Sequence, residues 1–158
     1  MGDGLDQQSK FHLTLGRWVD LQDFVLPVRH QVFVQEQNVP LELERDVFDA
    51  QATHALVTKD GLAVATGRVV QQAAERLVGQ VGRIGRLAVL KPLRGQGLGK
   101  WVLSSLIEHG RSTGLQQFEL HARLEATPLY SQFGFEPCGE VFDEAGADHV
   151  LMVLESVR

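Results

Sequence analysis

The chain has a single cysteine, Cys138, among its 158 residues. An internal disulfide is therefore impossible, and nothing in the cysteine usage points to an oxidising compartment. Positive charge is also scarce. Fifteen Lys and Arg stand against 20 Asp and Glu, for a net charge of −5 and a pI of about 5.6. That balance argues against nucleic acid as the main partner, because a phosphate backbone calls for a basic face. No apolar run is long enough to cross a bilayer, so no membrane partner is expected. The first ten residues are mostly polar and have no apolar core, which sets the expectation of no signal peptide and a soluble, cytoplasmic protein. Six histidines are present, none at a metal-ligand spacing such as His-x-x-x-His, so no metal is expected. Neither a repeat nor a low-complexity segment is evident.

What remains is an ordinary globular chain, 44% apolar and of a length that suits one core. Residues 1–9 read as a flexible N terminus and 10–158 as one domain. Phe11, Leu13 and Leu15 alternate like a strand. Asp20 is a candidate helix cap, with Leu21, Phe24, Val25, Val28 and Val32 on one face and Pro27 set to kink or divide the helix. Pro40 to Ala50 is acidic and reads as a surface loop. Strands follow at His54–Thr58 and Ala63–Gln71, joined at Asp60-Gly61, then at Arg83–Leu90. The last of these alternates and then turns wholly apolar at Leu87-Ala88-Val89-Leu90, as a buried or bulged strand end does. A helix over Gly97–Arg111 carries the apolar stripe Leu98, Val102, Leu103, Leu106 and Ile107. Phe118, Leu120 and Ala122 face one side of the next strand; Gln117, Glu119 and His121 face the other. Thr127 and Pro128 open a short helix, and two short strands close the chain at Glu136–Glu140 and His149–Leu154. Strands alternating with helices indicate a mixed α/β sheet.

The most informative stretch is Arg94-Gly95-Gln96-Gly97-Leu98-Gly99-Lys100, lying between a strand and a helix. Glycines let the backbone approach a ligand closely, and the free N–H groups and dipole at a helix start favour phosphate. A Walker A loop fails, because Arg94 falls where its first glycine belongs and Trp101 where its hydroxyl belongs. A dinucleotide fingerprint fails too, since Lys100 or Val102 takes the place of its third glycine.

Arg94-x-x-Gly97-x-Gly99 does fit another pattern, and a second one follows in the right order: Ala126-x-x-x-Tyr130-x-x-x-Gly134-Phe135. Together they resemble the GNAT superfamily of N-acetyltransferases. Val28 to Pro40, with Asp49 and His54, is similar to the signature of its ElaA-like subfamily. The resemblance covers about Val28 to Met152 and implies a fold, a donor and an activity. The fold is a single-domain GNAT α/β fold, with a mostly antiparallel central sheet, two splayed central strands and flanking helices. The donor is acetyl-CoA, released as coenzyme A. The implied activity is transfer of its acetyl group to a primary amine on a small molecule or peptide, in a ternary complex. An acyl-CoA sensor without turnover is the alternative, and family habit suggests a homodimer.

For the coenzyme, the resemblance implies Leu87, Ala88 and Val89 on the strand, the segment Arg94, Gly95, Gln96, Gly97, Leu98, Gly99 and Lys100, and Arg123. Arg123 stands where many relatives have asparagine, and arginine can donate but not accept. The resemblance also gives the backbone N–H near Val89 to the oxyanion and makes Tyr130 the acid for the thiolate, a role its neutral phenol can fill. Glu36, His54, His121 and His149 are open candidates for the base, as is a water chain. Arg68 and Arg86 either grip an anion or pair with Glu36, Asp46 or Asp49.

Overall fold

A computed structural model describes residues 10–155. The expected flexible segment, residues 1–9, lies outside them. The chain runs through β1 (Phe11–Arg17), α1 (Trp18–Arg29), a π helix (His30–Glu36), α2 (Leu41–Glu44), β2 (Thr53–Lys59), β3 (Leu62–Ala73) and β4 (Gln80–Val89). It continues through α3 (Leu98–Ser112), β5 (Phe118–Arg123), α4 (Thr127–Ser131), β6 (Glu136–Pro137), β7 (Phe142–Glu144) and β8 (Ala147–Leu154). The strands form one sheet in the order β1-β2-β3-β4-β5-β8-β6, with β7 pairing β8. Among the described residues β4 and β5 make the one parallel pair; the others are antiparallel.

That parallel pair is short. β4 meets β5 only at Gly82↔Phe118 and Arg83↔Glu119. Beyond them β4 stays with β3 and β5 stays with β8, so the two central strands part. Phe118 pins the closed end. A Cβ built on Gly82 would lie 2.6 Å from its ring, and one built on Gly110 of α3 would lie 2.5 Å from it. Strand and helix therefore close on one phenyl ring from two sides, an approach only glycine permits.

The open end is bent by a bulge. The β3–β4 register shifts between Thr66 and Arg68, opposite Arg86, which has φ 53°. This is the bulge expected where β4 turns apolar. A non-glycine residue at positive φ costs energy unless its surroundings hold it. Here they do: Arg86 donates from Nε to Glu44 O (3.0 Å) and from Nη2 to Leu43 O (3.1 Å) and Asp46 (3.2 Å).

Helix α3 lays its apolar stripe on one face of the sheet, where Val102, Leu103 and Leu106 join Ile84, Phe118, Leu120 and Met152 in the main core. Helix α1 covers the other face with Leu21, Val25 and Val28. Phe24, expected on that stripe, is exposed. The helix begins at Trp18, so Asp20 sits in its first turn, paired with Arg17, rather than capping it. Pro27 does not divide the helix; α1 runs through it and then widens into the π helix. Gln37 N–H bonding back to Val32 O marks that wider turn.

The acidic stretch after the π helix also departs from a plain surface loop. Leu41–Glu44 is a helical turn, and Glu44 and Asp49 are buried. Both meet Arg29, itself fully buried, which donates to Glu44 and to Asp49 (2.7 Å). Arg68 completes the network with Asp46 (2.6 Å) and Asp49 (2.7 Å). So Arg68 and Arg86 order the acidic loop, which resolves their two readings. The strand β7 was not expected. It turns into β8 through Ala145 and Gly146, both at positive φ, with no Asn-Gly or Asp-Gly to announce the hairpin.

Candidate functional site

The site is built around the gap between β4 and β5. Backbone groups on the facing edges, from Ile84 to Val89 and from Leu120 to Arg123, have no ladder partner across it. At the end of β4 the chain passes through a 3₁₀ turn and the glycine loop into α3. Gly95 and Gly97 both have φ 85°, and nothing lies within 4 Å of a Cβ built on either. Trp101 N–H is bonded to Gly97 O, while the N–H groups of Leu98, Gly99 and Lys100 precede the first helical bond. Open space beside the two glycines and free N–H groups at a helix start fit a diphosphate. Lys100 is exposed on the first turn of α3. Gln96 lies exposed between the two glycines.

Arg94 is already engaged. Its Nε donates to Val89 O (2.9 Å), and its outer nitrogens donate to Glu36 at 2.6 and 2.7 Å. The hydrogen bond from Arg94 holds the Glu36 carboxyl below its ordinary range, and the pairing raises Arg94 in turn. Leu87, Ala88 and Val89 follow the bulge, with Ala88 buried against Val28 and Val32. Arg123, at the end of β5, donates to Gln37 Oε1 (2.9 Å) and to Glu125 (2.9 Å).

Tyr130 is carried by α4, packed edge-on against Phe135 with ring centroids 6.1 Å apart. Burial pushes its phenol up to about 12. Its hydroxyl has no hydrogen-bond partner among the described residues.

The histidines part company. His54 is buried at 1% exposure under Trp18, ring centroids 4.9 Å apart, with Nε2 on Asp49 O at 2.8 Å. Burial lowers its pKa, and Nδ1 has no partner among the described residues. It belongs to the arginine–carboxylate network, not to the strand gap. His149 is nearly buried, with Nδ1 on Ala147 O at 2.8 Å. His121 lies on β5 between Glu144 (Nδ1, 2.8 Å) and Glu75 (Nε2, 2.8 Å), with Arg83 at 3.1 Å. The Glu144 hydrogen bond raises its pKa, burial opposes this, and the Glu75 bond adds to the rise. Glu119, fully buried two residues before, accepts from Arg83 and from the N–H groups of Glu75 and Arg76. Since Phe118, Leu120 and Ala122 face α3, this polar cluster stands on the α1 face. Alternation in β5 pointed to that face for Glu119 and His121. Nothing in the sequence joined them to Glu75, Arg83 or Glu144, and Gln37 was likewise missed. Among the described residues no cluster of His, Cys, Asp and Glu could hold a metal ion.

Residues 20–156 match the family model of the acetyltransferase (GNAT) domain. The chain is 37% identical to protein YyaT of Bacillus subtilis over 84% of this chain and 88% of that one. It is 31% identical to protein ElaA of Escherichia coli over 85% and 87%. The crystal structure of Escherichia coli ElaA superposes with a TM-score of 0.79 at 28% identity, over 92% of this chain and 99% of that one. An acyl-CoA N-acyltransferase from Pseudomonas aeruginosa gives a TM-score of 0.79 at 26% identity, over 90% and 98%. The chain belongs to the GNAT acetyltransferase family and is ElaA-like within it.

Proposed function

We propose that the chain is an N-acetyltransferase, one domain over residues 10–158, moving an acetyl group from acetyl-CoA directly to a primary amine of a small molecule or peptide. One observation carries the reading: the glycine loop leaves free N–H groups at the head of α3 beside the unpaired edges of β4 and β5. The donor supplies an activated acetyl thioester. The chain's residues do the rest.

The N–H groups between Gly95 and Lys100 take the diphosphate, and the unpaired edge at Leu87–Val89 takes the extended arm as a strand would. The N–H near Val89 meets the developing oxyanion. Tyr130 gives its proton to the departing thiolate; with its pKa pushed up to about 12, the phenol stays protonated at any working pH.

The amine loses its proton on the α1 face. Glu36 is a weak base there, because Arg94 holds it as a stabilised carboxylate. His54 is closed off. His121, part-exposed between Glu75 and Glu144, has the access and the basicity, acting directly or through water. The two carboxylates beside it also suit an approaching ammonium group. A screen of amines that reads free thiol release from acetyl-CoA tests the proposal. Release that depends on an amine supports it. Coenzyme binding without release across the panel marks a sensor instead.

A further inference from the structure

Two consecutive residues at the end of the π helix reach opposite sides of the gap. Glu36 takes the outer nitrogens of Arg94, and the Nε of the same guanidinium fixes the carbonyl of Val89, the last residue of β4. Gln37 takes Nη1 of Arg123, the last residue of β5. Arg123 alternates in step with Glu119 and His121, so it leaves its strand on the α1 face. Both tethers therefore cross that face, opposite the side that α3 covers.

Hydrogen bonds between the strands do not set the width of the gap, because pairing stops at Arg83 and Glu119. Something else must hold the two ends at a fixed spacing. A carboxylate facing a guanidinium fork is directional as well as attractive. With Glu36 and Arg94 34% and 39% exposed, the pair adds little stability; what it supplies is position. Val89 is held on its carbonyl side, which orients the peptide plane of the strand end.

We propose that Glu36 and Gln37 form a clasp that ties the π helix to both parted strands, sets the gap and holds the Val89 segment in place for transfer. The inference rests on the acyl-transfer reading above. It makes Glu36 a positioning residue rather than the base. It makes Arg94 a strut, leaving the diphosphate to backbone N–H groups.

The test uses Glu36→Ala, Glu36→Gln, Gln37→Ala and Arg94→Ala in the full chain. Hydrogen–deuterium exchange comes first, since it needs no turnover. In Glu36→Ala, segments 84–94 and 119–126 exchange about tenfold faster while β1 and β2 are unchanged. Unaltered exchange in both segments overturns the clasp. In kinetics, Glu36→Ala lowers kcat about tenfold, and Glu36→Gln, which keeps one acceptor, recovers part of the loss. The acidic limb of the kcat/KM profile survives in both variants; its disappearance would make Glu36 the base and overturn the proposal. Glu36→Ala combined with Arg94→Ala is no slower than Arg94→Ala alone, because the two act as a unit. Fully additive losses would contradict that. Gln37→Ala shows a smaller change of the same kind, strongest in 119–126; exchange there at the wild-type rate removes its half of the clasp. Tighter coenzyme A binding by Glu36→Ala would mean that Glu36 competes with the diphosphate for Arg94, and would also overturn the proposal. Should the wild-type protein transfer no acetyl group, the functional reading falls, and the exchange data still decide whether the clasp exists.

Discussion

Tyr130 is the sole tyrosine of the chain, and its phenol is raised to about 12 by burial. Tyr130→Phe keeps the ring against Phe135 and removes only the hydroxyl. Its kcat should fall about 100-fold, within the range for a lost general acid, while KM for acetyl-CoA changes little. Steady-state kinetics check this; unchanged kcat with chemistry rate-limiting would remove Tyr130 from the mechanism. His121 sets a pH dependence. A base works only when deprotonated, so kcat/KM should rise with pH through a pKa above the ordinary 6.5, since the Glu144 and Glu75 bonds raise it. His121→Asn should erase that limb. The stability sign is the reverse: a raised histidine stabilises below its unfolded pKa, and that gain is lost as pH rises through the folded pKa. The place of Tyr130 on a short helix beside Phe135 was legible from a motif ten residues long. The surroundings of His121 were not, because Glu75, in the loop after β3, and Glu144, at the end of β7, meet only when the fold closes around β5.

At the scale of elements, two devices shape the site. One is the seat of Phe118 between Gly82 and Gly110, which pins the closed end of the gap. Gly110→Ala forces a Cβ into that ring and should cost about 1–3 kcal/mol, as overpacking does. Denaturant titration measures it; a neutral result would mean that α3 can shift freely. The other device is the Arg29 network under the acidic loop. Arg29→Ala leaves Glu44 and Asp49 buried beside a missing partner and should cost about 3–5 kcal/mol. Burial alone would raise Asp49, but the bonds and charges of Arg29 and Arg68 outweigh it and keep it lowered. Its contribution is therefore present at neutral pH and fades as pH falls through that lowered value, so the variant should differ most from wild type above the acid range. Most strands and α3 could be read from their periodicity. The path through Pro27 could not: propensity marks a break, yet packing of Val25, Val28 and Val32 carries the helix on and lets it widen. Charge alone likewise gave no sign that Glu44 and Asp49, two of the loop's four acidic residues, are buried, since the partners Arg29, Arg68 and Arg86 come from three distant elements.

For the molecule as a whole, the sheet divides the labour. Its α3 face holds the core and the glycine loop, and its α1 face holds the polar cluster and the clasp. On the proposed function, a donor in the gap meets its acceptor from the α1 face. The most direct test of this account is a crystal structure with coenzyme A bound. The account predicts the diphosphate on the N–H groups between Gly95 and Lys100, the arm along Leu87–Val89, and the sulfur within hydrogen-bond reach of the Tyr130 hydroxyl. A diphosphate bound elsewhere, or a sulfur remote from that hydroxyl, would contradict it.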